Sequence, residues 1–314
     1  MTRIIRIVGA LLVGALLVGA LLAGSIAATA HAQSLKLEGT DRPIEVTAEK
    51  GFELQQDNQR VIARGNARAI QGDVTVTGDE LIADYRTKDG GAREVYRVFA
   101  SGNVSMKSST ETATGDSAIY DFDKGVLVLE GKVVTLSNPE GSVTAHSALQ
   151  YWSIERVAVA EGAAVAEDKE KRRLHADKLI AFFREEAAPS PRGSAVLPKS
   201  RGDISLLQGF GNVRMETAKE IVRGDRGTYN LETGIAILDG GVKFTQNNSQ
   251  LSGGFAVVNV KGGTTRLFGS AREAGMPGVR ESARVSALIA PRPKQDLNSS
   301  APPVAGQPPE KGIK

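Results

Sequence analysis

Residues 114–133 read TGDSAIYDFDKGVLVLEGKV, and residues 223–242 read RGDRGTYNLETGIAILDGGV. The two stretches agree at seven of twenty positions and start 109 positions apart. Phe122 answers Leu231 and Asp123 answers Glu232, so most of the differences are close exchanges. A stretch that returns in this way marks a chain built by repetition, and the repeat has to be found before any other feature is read.

Working outward, the opening element recurs as VTAEKGFEL (46–54), VTGDELIADY (76–85), VTAHSALQYW (143–152), LHADKLIAFF (174–183) and LSGGFAVVNV (251–260). A second element follows most copies, as ARGNARA (63–69), ASGNVSM (100–106), AEGAAVA (160–166) and QGFGNVRM (208–215). The unit is about thirty residues, with two longer steps, from 78 to 115 and from 176 to 224. The first of these carries the polar stretch RTKDGGARE (86–94). The second carries EEAAPSPRGSAVLPKSRG (185–202), whose Pro, Gly and Ser content predicts a surface loop.

Each unit reads as two strands. Ala118, Tyr120 and Phe122 alternate with Ile119, Asp121 and Asp123, and the same period of two runs through Leu81, Ala83 and Tyr85. DKG (123–125) and ETG (232–234) stand where the chain has to reverse, and glycine supplies the positive φ such turns need. A lone two-strand unit cannot bury its apolar face, whereas about seven stacked units bury a continuous core. The expected fold is therefore all-β, from stacked antiparallel strands.

The 314 residues include 35 Gly, 41% are hydrophobic, and there is no Cys, which excludes disulfides and thiolate metal sites. Arg3 and Arg6 precede the apolar run IVGALLVGALLVGALLAGSIAA, and Ala30-His31-Ala32 fits a small-residue cleavage site before Gln33. Residues 1–32 thus read as a cleavable signal peptide, with an uncleaved anchor as the alternative. Removing Arg3 and Arg6 leaves 37 basic against 36 acidic residues, a balance that gives no nucleic-acid footprint. Residues 33–275 form the expected repeat domain. Residues 276–314, rich in Pro, Ser, Gln and Lys, are expected to be a disordered tail.

Polar residues recur at the repeat start: Asp79, Asp116, His146, Asp177 and Asp225. A carboxylate row could be catalytic, but Asp at strand starts and turns also bonds its own backbone, and no partner residue type repeats with it. His146 and His175 differ in repeat phase and match no zinc spacing, so no metal or cofactor is expected. The two RGD triplets, 201–203 and 223–225, carry no adhesion signal beyond the repeat itself.

One strand parity collects Leu81, Tyr85, Val104, Met106, Tyr120 and Phe122, then Val133, Leu179, Phe183 and Val213, then Met215, Tyr229, Val242 and Phe244. These are the candidate lining residues of an apolar groove for a long acyl ligand. A plain solenoid core would show the same pattern, and periodicity does not separate the two.

The run IEVTAEKGFELQQDNQRVIARGNARAIQGDVTVTGDELIADY (44–85), followed in phase by ASGNVSM and TGDSAIYDF, resembles the OstA-like family of lipopolysaccharide-transport domains over roughly residues 40–270. The resemblance, most evident to proteins of the LptA type, implies a V-shaped β-jellyroll. It further implies a periplasmic lipopolysaccharide carrier that bridges inner and outer membrane, with acyl chains held inside the V. Implied partners are LptC-like inner-membrane and LptD-like outer-membrane proteins, or further copies of the chain head to tail, all joined through strand edges. The alternatives are a β-helix enzyme acting on polysaccharide, for which the Asp row would be the catalytic candidate, and a ligand-free structural or adhesive solenoid.

Overall fold

The computed structural model describes residues 45–88, 91, 93–184, 204–218, 220–246, 249–277 and 284–289. The expected signal peptide 1–32, the 185–202 insertion and residues 290–314 of the tail lie outside the described residues. Among the described residues every regular element is a strand. The first half comprises β1 (Glu45–Thr47), β2 (Phe52–Gln55), β3 (Arg60–Gln71), β4 (Val74–Thr87), β5 (Arg93–Lys107), β6 (Thr112–Asp121), β7 (Val126–Glu130), β8 (Val134–Asn138), β9 (Gly141–Ala145) and β10 (Ala148–Trp152). The second half comprises β11 (Val157–Asp168), β12 (Arg173–Phe183), β13 (Ile204–Glu216), β14 (Glu220–Asn230), β15 (Ile235–Gln246), β16 (Ser249–Asn259), β17 (Thr264–Phe268) and β18 (Ser286–Leu288). Every pairing is antiparallel and joins strands that lie close in sequence.

The long strands are broken midway by a register shift: Arg64/Ala67 in β3, Ser101/Val104 in β5, Phe210/Val213 in β13 and Asp239/Val242 in β15. The shift divides each strand into two arms. In arm A, β2, β7, β10 and β17 are short strands. In arm B their counterparts are β1, β8, β9 and β18. The two elements of each sequence repeat are thus the two crossings of one crease. Each unit is a pair of bent strands.

Local chemistry explains the crease. On alternate strands a Gly-Asn pair enters the left-handed region twice in succession: Gly65 and Asn66 at φ 80° and 43°, Gly102 and Asn103 at 72° and 50°, Gly211 and Asn212 at 71° and 48°. Only glycine takes that conformation freely, and Asn tolerates it best among the rest. The intervening strand supplies the partner. Asn103 Nδ2 donates to Asp79 at 3.2 Å, and Asn212 Nδ2 donates to Asp177 at 2.9 Å. Asp116 accepts from the backbone N–H of Lys132 at 2.9 Å. The repeated carboxylates therefore tie one crease crossing to the next. They lie along the fold line.

The apolar faces of the two arms meet. One row of register partners in arm A runs Ala63, Leu81, Ala100, Ala118, Leu129, Leu149, Ala160, Leu179, Gly209, Gly227, Leu238, Ala256 and Leu267. Small residues are interspersed with large ones, which lets opposing side chains interdigitate. Leu81, Met106 and Leu129 are fully buried, each worth about 1.5–3 kcal/mol of hydrophobic stabilisation.

The ordered chain does not stop at 275. Ser286–Leu288 pairs with Gln250–Ser252 as an edge strand, so three residues of the expected disordered tail are sheet. The sequence RVSALIA (284–290) gathers β-branched and apolar residues in one run, whereas the Pro-rich remainder holds them singly.

Candidate functional site

From β3 to β12 the arms close on each other and one core cluster runs through both. A void of about 80 Å³ remains there, walled by Met106, Leu129, Leu136, Leu149 and Tyr151 among others. Beyond β12 the core divides. One cluster gathers Phe183, Ile204 and Leu207, with Tyr229 and Leu231 against it. Another gathers Val222, Leu238, Val242 and Ala256, with Met215 and Phe244 against it.

Between them lies a cleft of about 310 Å³. Its walls include the paired glycines of the arm A row. Gly209 and Gly227 are register partners, so two neighbouring positions present no side chain to the interior. Val213 of arm B packs over them: a Cβ on either glycine would approach it to 3.1–3.2 Å. Leu174, Leu207, Met215, Tyr229, Ile237 and Val258 form the walls.

The mouth is polar. Arg172 and Arg173 stand on the arm B side with Asp168, Thr217 and Glu220, while Asn259, Val260 and Gly263 stand on the arm A side. Asp168 is buried and takes Arg172 Nε at 2.7 Å. Glu167 takes Arg173 Nε at 2.6 Å. Burial pushes the Tyr229 phenol above its ordinary range, partly offset by the Arg172 charge across the mouth. An apolar trough with a charged lip fits an amphiphile whose chains go in and whose head stays out.

The family model described as LptA/(LptD N-terminal domain) LPS transport protein matches residues 45–151 and again 142–264, more than half of the chain. The chain belongs to that family. The double match follows the internal repetition: one copy covers β1–β10 and the other begins at β9. Among solved structures, LptH of Pseudomonas aeruginosa, described as the LptA-homologous periplasmic component of the lipopolysaccharide transport device, is similar at 13% identity with a TM-score of 0.20. The alignment covers 80% of this chain and 97% of that chain. No curated protein matches the sequence.

Within this lipopolysaccharide-transport fold, the candidate lining residues separate into groups. Leu81, Tyr85, Val104, Met106 and Tyr120 are buried in the closed half, with Phe122 packed against them. Leu179 and Val213 belong to the same core, and Val213 also lines the cleft. Phe183, Met215, Tyr229, Val242 and Phe244 lie in the two clusters that flank the open half. Val133 is misplaced: it is 49% exposed, and Val134 beside it is fully buried. The crease between β7 and β8 adds residues that shift the parity, so the inward position moves by one. Sequence reasoning also missed Leu136, Leu149 and Leu207, which register with the predicted residues would have found, and the paired glycines, which hydrophobicity cannot detect.

The Asp row serves the crease. Asp79 and Asp177 are engaged with Asn103 and Asn212, and among the described residues no three His, Asp or Glu side chains gather at a metal-binding spacing. His146 lies at the crease, where its backbone N–H donates to Gly162 O at 2.6 Å. His175 lies on the outer face of arm B, so the two histidines are apart.

Proposed function

We propose that this chain is a periplasmic carrier of lipopolysaccharide. The acyl chains lie between the arms and the phosphorylated saccharide head lies at the polar mouth. The observation that carries the reading is the apolar cleft of about 310 Å³ in a chain of this transport family. Exposing an acyl chain to water costs about 0.8 kcal/mol per methylene, and apolar walls remove that cost with no covalent step.

The strand edges supply the means of bridging. At one end β1 and β2 pair with β3 alone, and Phe52 and Leu54 are about half exposed. At the other end β17 and β18 pair with β16. These short edges suit addition of a strand from an LptC-like or LptD-like partner or from a second copy. The signal-like segment 1–32 delivers the chain to the periplasm, where the repeat domain from residue 33 folds.

The test is mass spectrometry of lipid extracted from the purified exported protein. Acylated glycolipid should be present, and it should be taken up by lipid-stripped protein. Stripped protein that takes up none contradicts the proposal.

A further inference from the structure

The outer face of arm B carries a row that neither the cleft nor the crease uses. Register partners along it run Thr47, Arg68, Thr77, Ser105, Thr114, Thr135 and Thr144 in the first half, where Arg68 is a single cation among hydroxyls. After Val165 the row carries the imidazole of His175 and then the cations Arg214, Arg223 and Lys243, on four successive strands, before it returns to Ser252. Adjacent strands lie about 4.8 Å apart, so the four side chains span about 14 Å.

Like charges directly opposite each other destabilise a sheet. Arg214 faces Arg223, and Arg223 faces Lys243. Of these three cations, Arg214 alone has an acidic partner among the described residues. Glu216 takes Arg214 at 2.7 Å and stays 3.8 Å from His175 Nε2. Glu167 is committed to Lys171 and Arg173, and Asp177 to Asn212. Asp225 lies at the crease beside the row. Arg223 and Lys243 are exposed and form no ion pair among the described residues. Two further nitrogens of the row, His175 Nε2 and Arg214 Nε, are buried and lack a hydrogen-bond partner. The row therefore combines two exposed, unpaired cations, Arg223 and Lys243, with two nitrogens, His175 Nε2 and Arg214 Nε, that no described group satisfies. A local rule broken without structural gain points to a ligand.

We infer that His175, Arg214, Arg223 and Lys243 form a binding site for a ligand carrying two or more phosphate groups. Arg forks bind phosphate through paired N–H donors, and Lys adds a point charge. The spacing accommodates phosphates on alternate or adjacent strands, presented either by a phosphorylated lipid head or by a soluble polyphosphate. The inference stands apart from the cleft, because the row is on the opposite face of arm B.

The test uses the full exported chain and calorimetry with inorganic tripolyphosphate at low salt. Arg223→Thr/Lys243→Thr restores the residue type of the first half and should weaken binding at least about tenfold. Lys124→Thr/Lys132→Thr removes the same charge elsewhere and should leave binding unchanged. Thr has high strand propensity, so the ladder variant should fold and melt no lower than the parent. Its extracted acyl lipid should also be unchanged, which separates this site from the cleft. Cosedimentation with phosphatidylcholine vesicles containing phosphatidic acid, lost in the ladder variant, assigns the site to lipid phosphate. Tripolyphosphate binding without vesicle binding assigns it to soluble polyphosphate. The inference is overturned if the parent binds neither probe, if both variants lose binding equally, or if the ladder variant melts well below the parent.

Discussion

Two methionines at matching repeat positions should respond to the same substitution in opposite ways. Met106 is 1% exposed in the closed half, whereas Met215 is half-buried on the wall of the open cleft. Met106→Glu forfeits about 1.5–3 kcal/mol of burial and strands a carboxyl group without a partner, at about 2–7 kcal/mol. The total, about 4 kcal/mol or more, is a large part of the roughly 5–15 kcal/mol that holds a domain together. At about 2–4 °C per kcal/mol the melting temperature should fall by about 10 °C or more. At Met215 the new carboxylate reaches water at the mouth, beside Arg172 and Arg173, and the cost should be about 1 kcal/mol. Its effect falls on the ligand. Displacing about four methylenes of an acyl chain at about 0.8 kcal/mol each weakens binding by about 3 kcal/mol, roughly a hundredfold. Thermal unfolding and lipid uptake by stripped protein give both readouts. Met215→Glu that takes up lipid like the parent would refute the placement of the chains. Met106→Glu that melts like the parent would refute the closed first half.

Gly211→Ala should cost more than Gly241→Ala in denaturant titrations. A Cβ on Gly211 would sit 2.1 Å from Asp177 Oδ2 at φ +71°, whereas Gly241, at φ +56°, has open space and incurs only the conformational cost of about 1–2 kcal/mol. Val134→Thr should destabilise by about 1–3 kcal/mol and Val133→Thr by less than about 0.5 kcal/mol, measured the same way. Burial first and the Arg214 charge second hold His175 below its ordinary value, so the folded state binds a proton there less readily than the unfolded state. Its contribution is fully present above about pH 6.5 and is lost as pH falls through that value towards the lower folded one; His175→Gln should flatten that step in a pH series of melting temperatures. The Arg86 hydrogen bond likewise holds the Asp123 carboxyl low, adding stability above about pH 4 that disappears on further acidification.

The fold was legible because its chemistry repeats. Alternation at Ala118, Tyr120 and Phe122 specifies strands, and the Gly-Asn and Gly-Asp pairs punctuate them at a fixed interval. What those pairs do was not legible. A Gly-Asn in a strand reads as a turn or a bulge, and only the pairing register shows Asn103 reaching Asp79 on the next strand. The parity error at Val133 has the same origin, since a crease of different length moves the inward face by one residue. The cleft was half legible. Met215 and Tyr229 are apolar residues in phase, but Gly209 and Gly227 line the space as well, under Val213, and a hydrophobic pattern does not detect them. The insertion at 185–202 obscured the register that pairs β12 with β13 and sets Leu179 opposite Gly209.

The most direct test of the carrier account is site-specific photocrosslinking to lipopolysaccharide, with a photoreactive phenylalanine at Tyr229 inside the cleft and at Ile180 on the outer face of arm A. The account predicts a crosslinked lipopolysaccharide adduct from position 229 and none from position 180. An adduct from 180 with none from 229 would place the lipid on the opposite strand parity and contradict it.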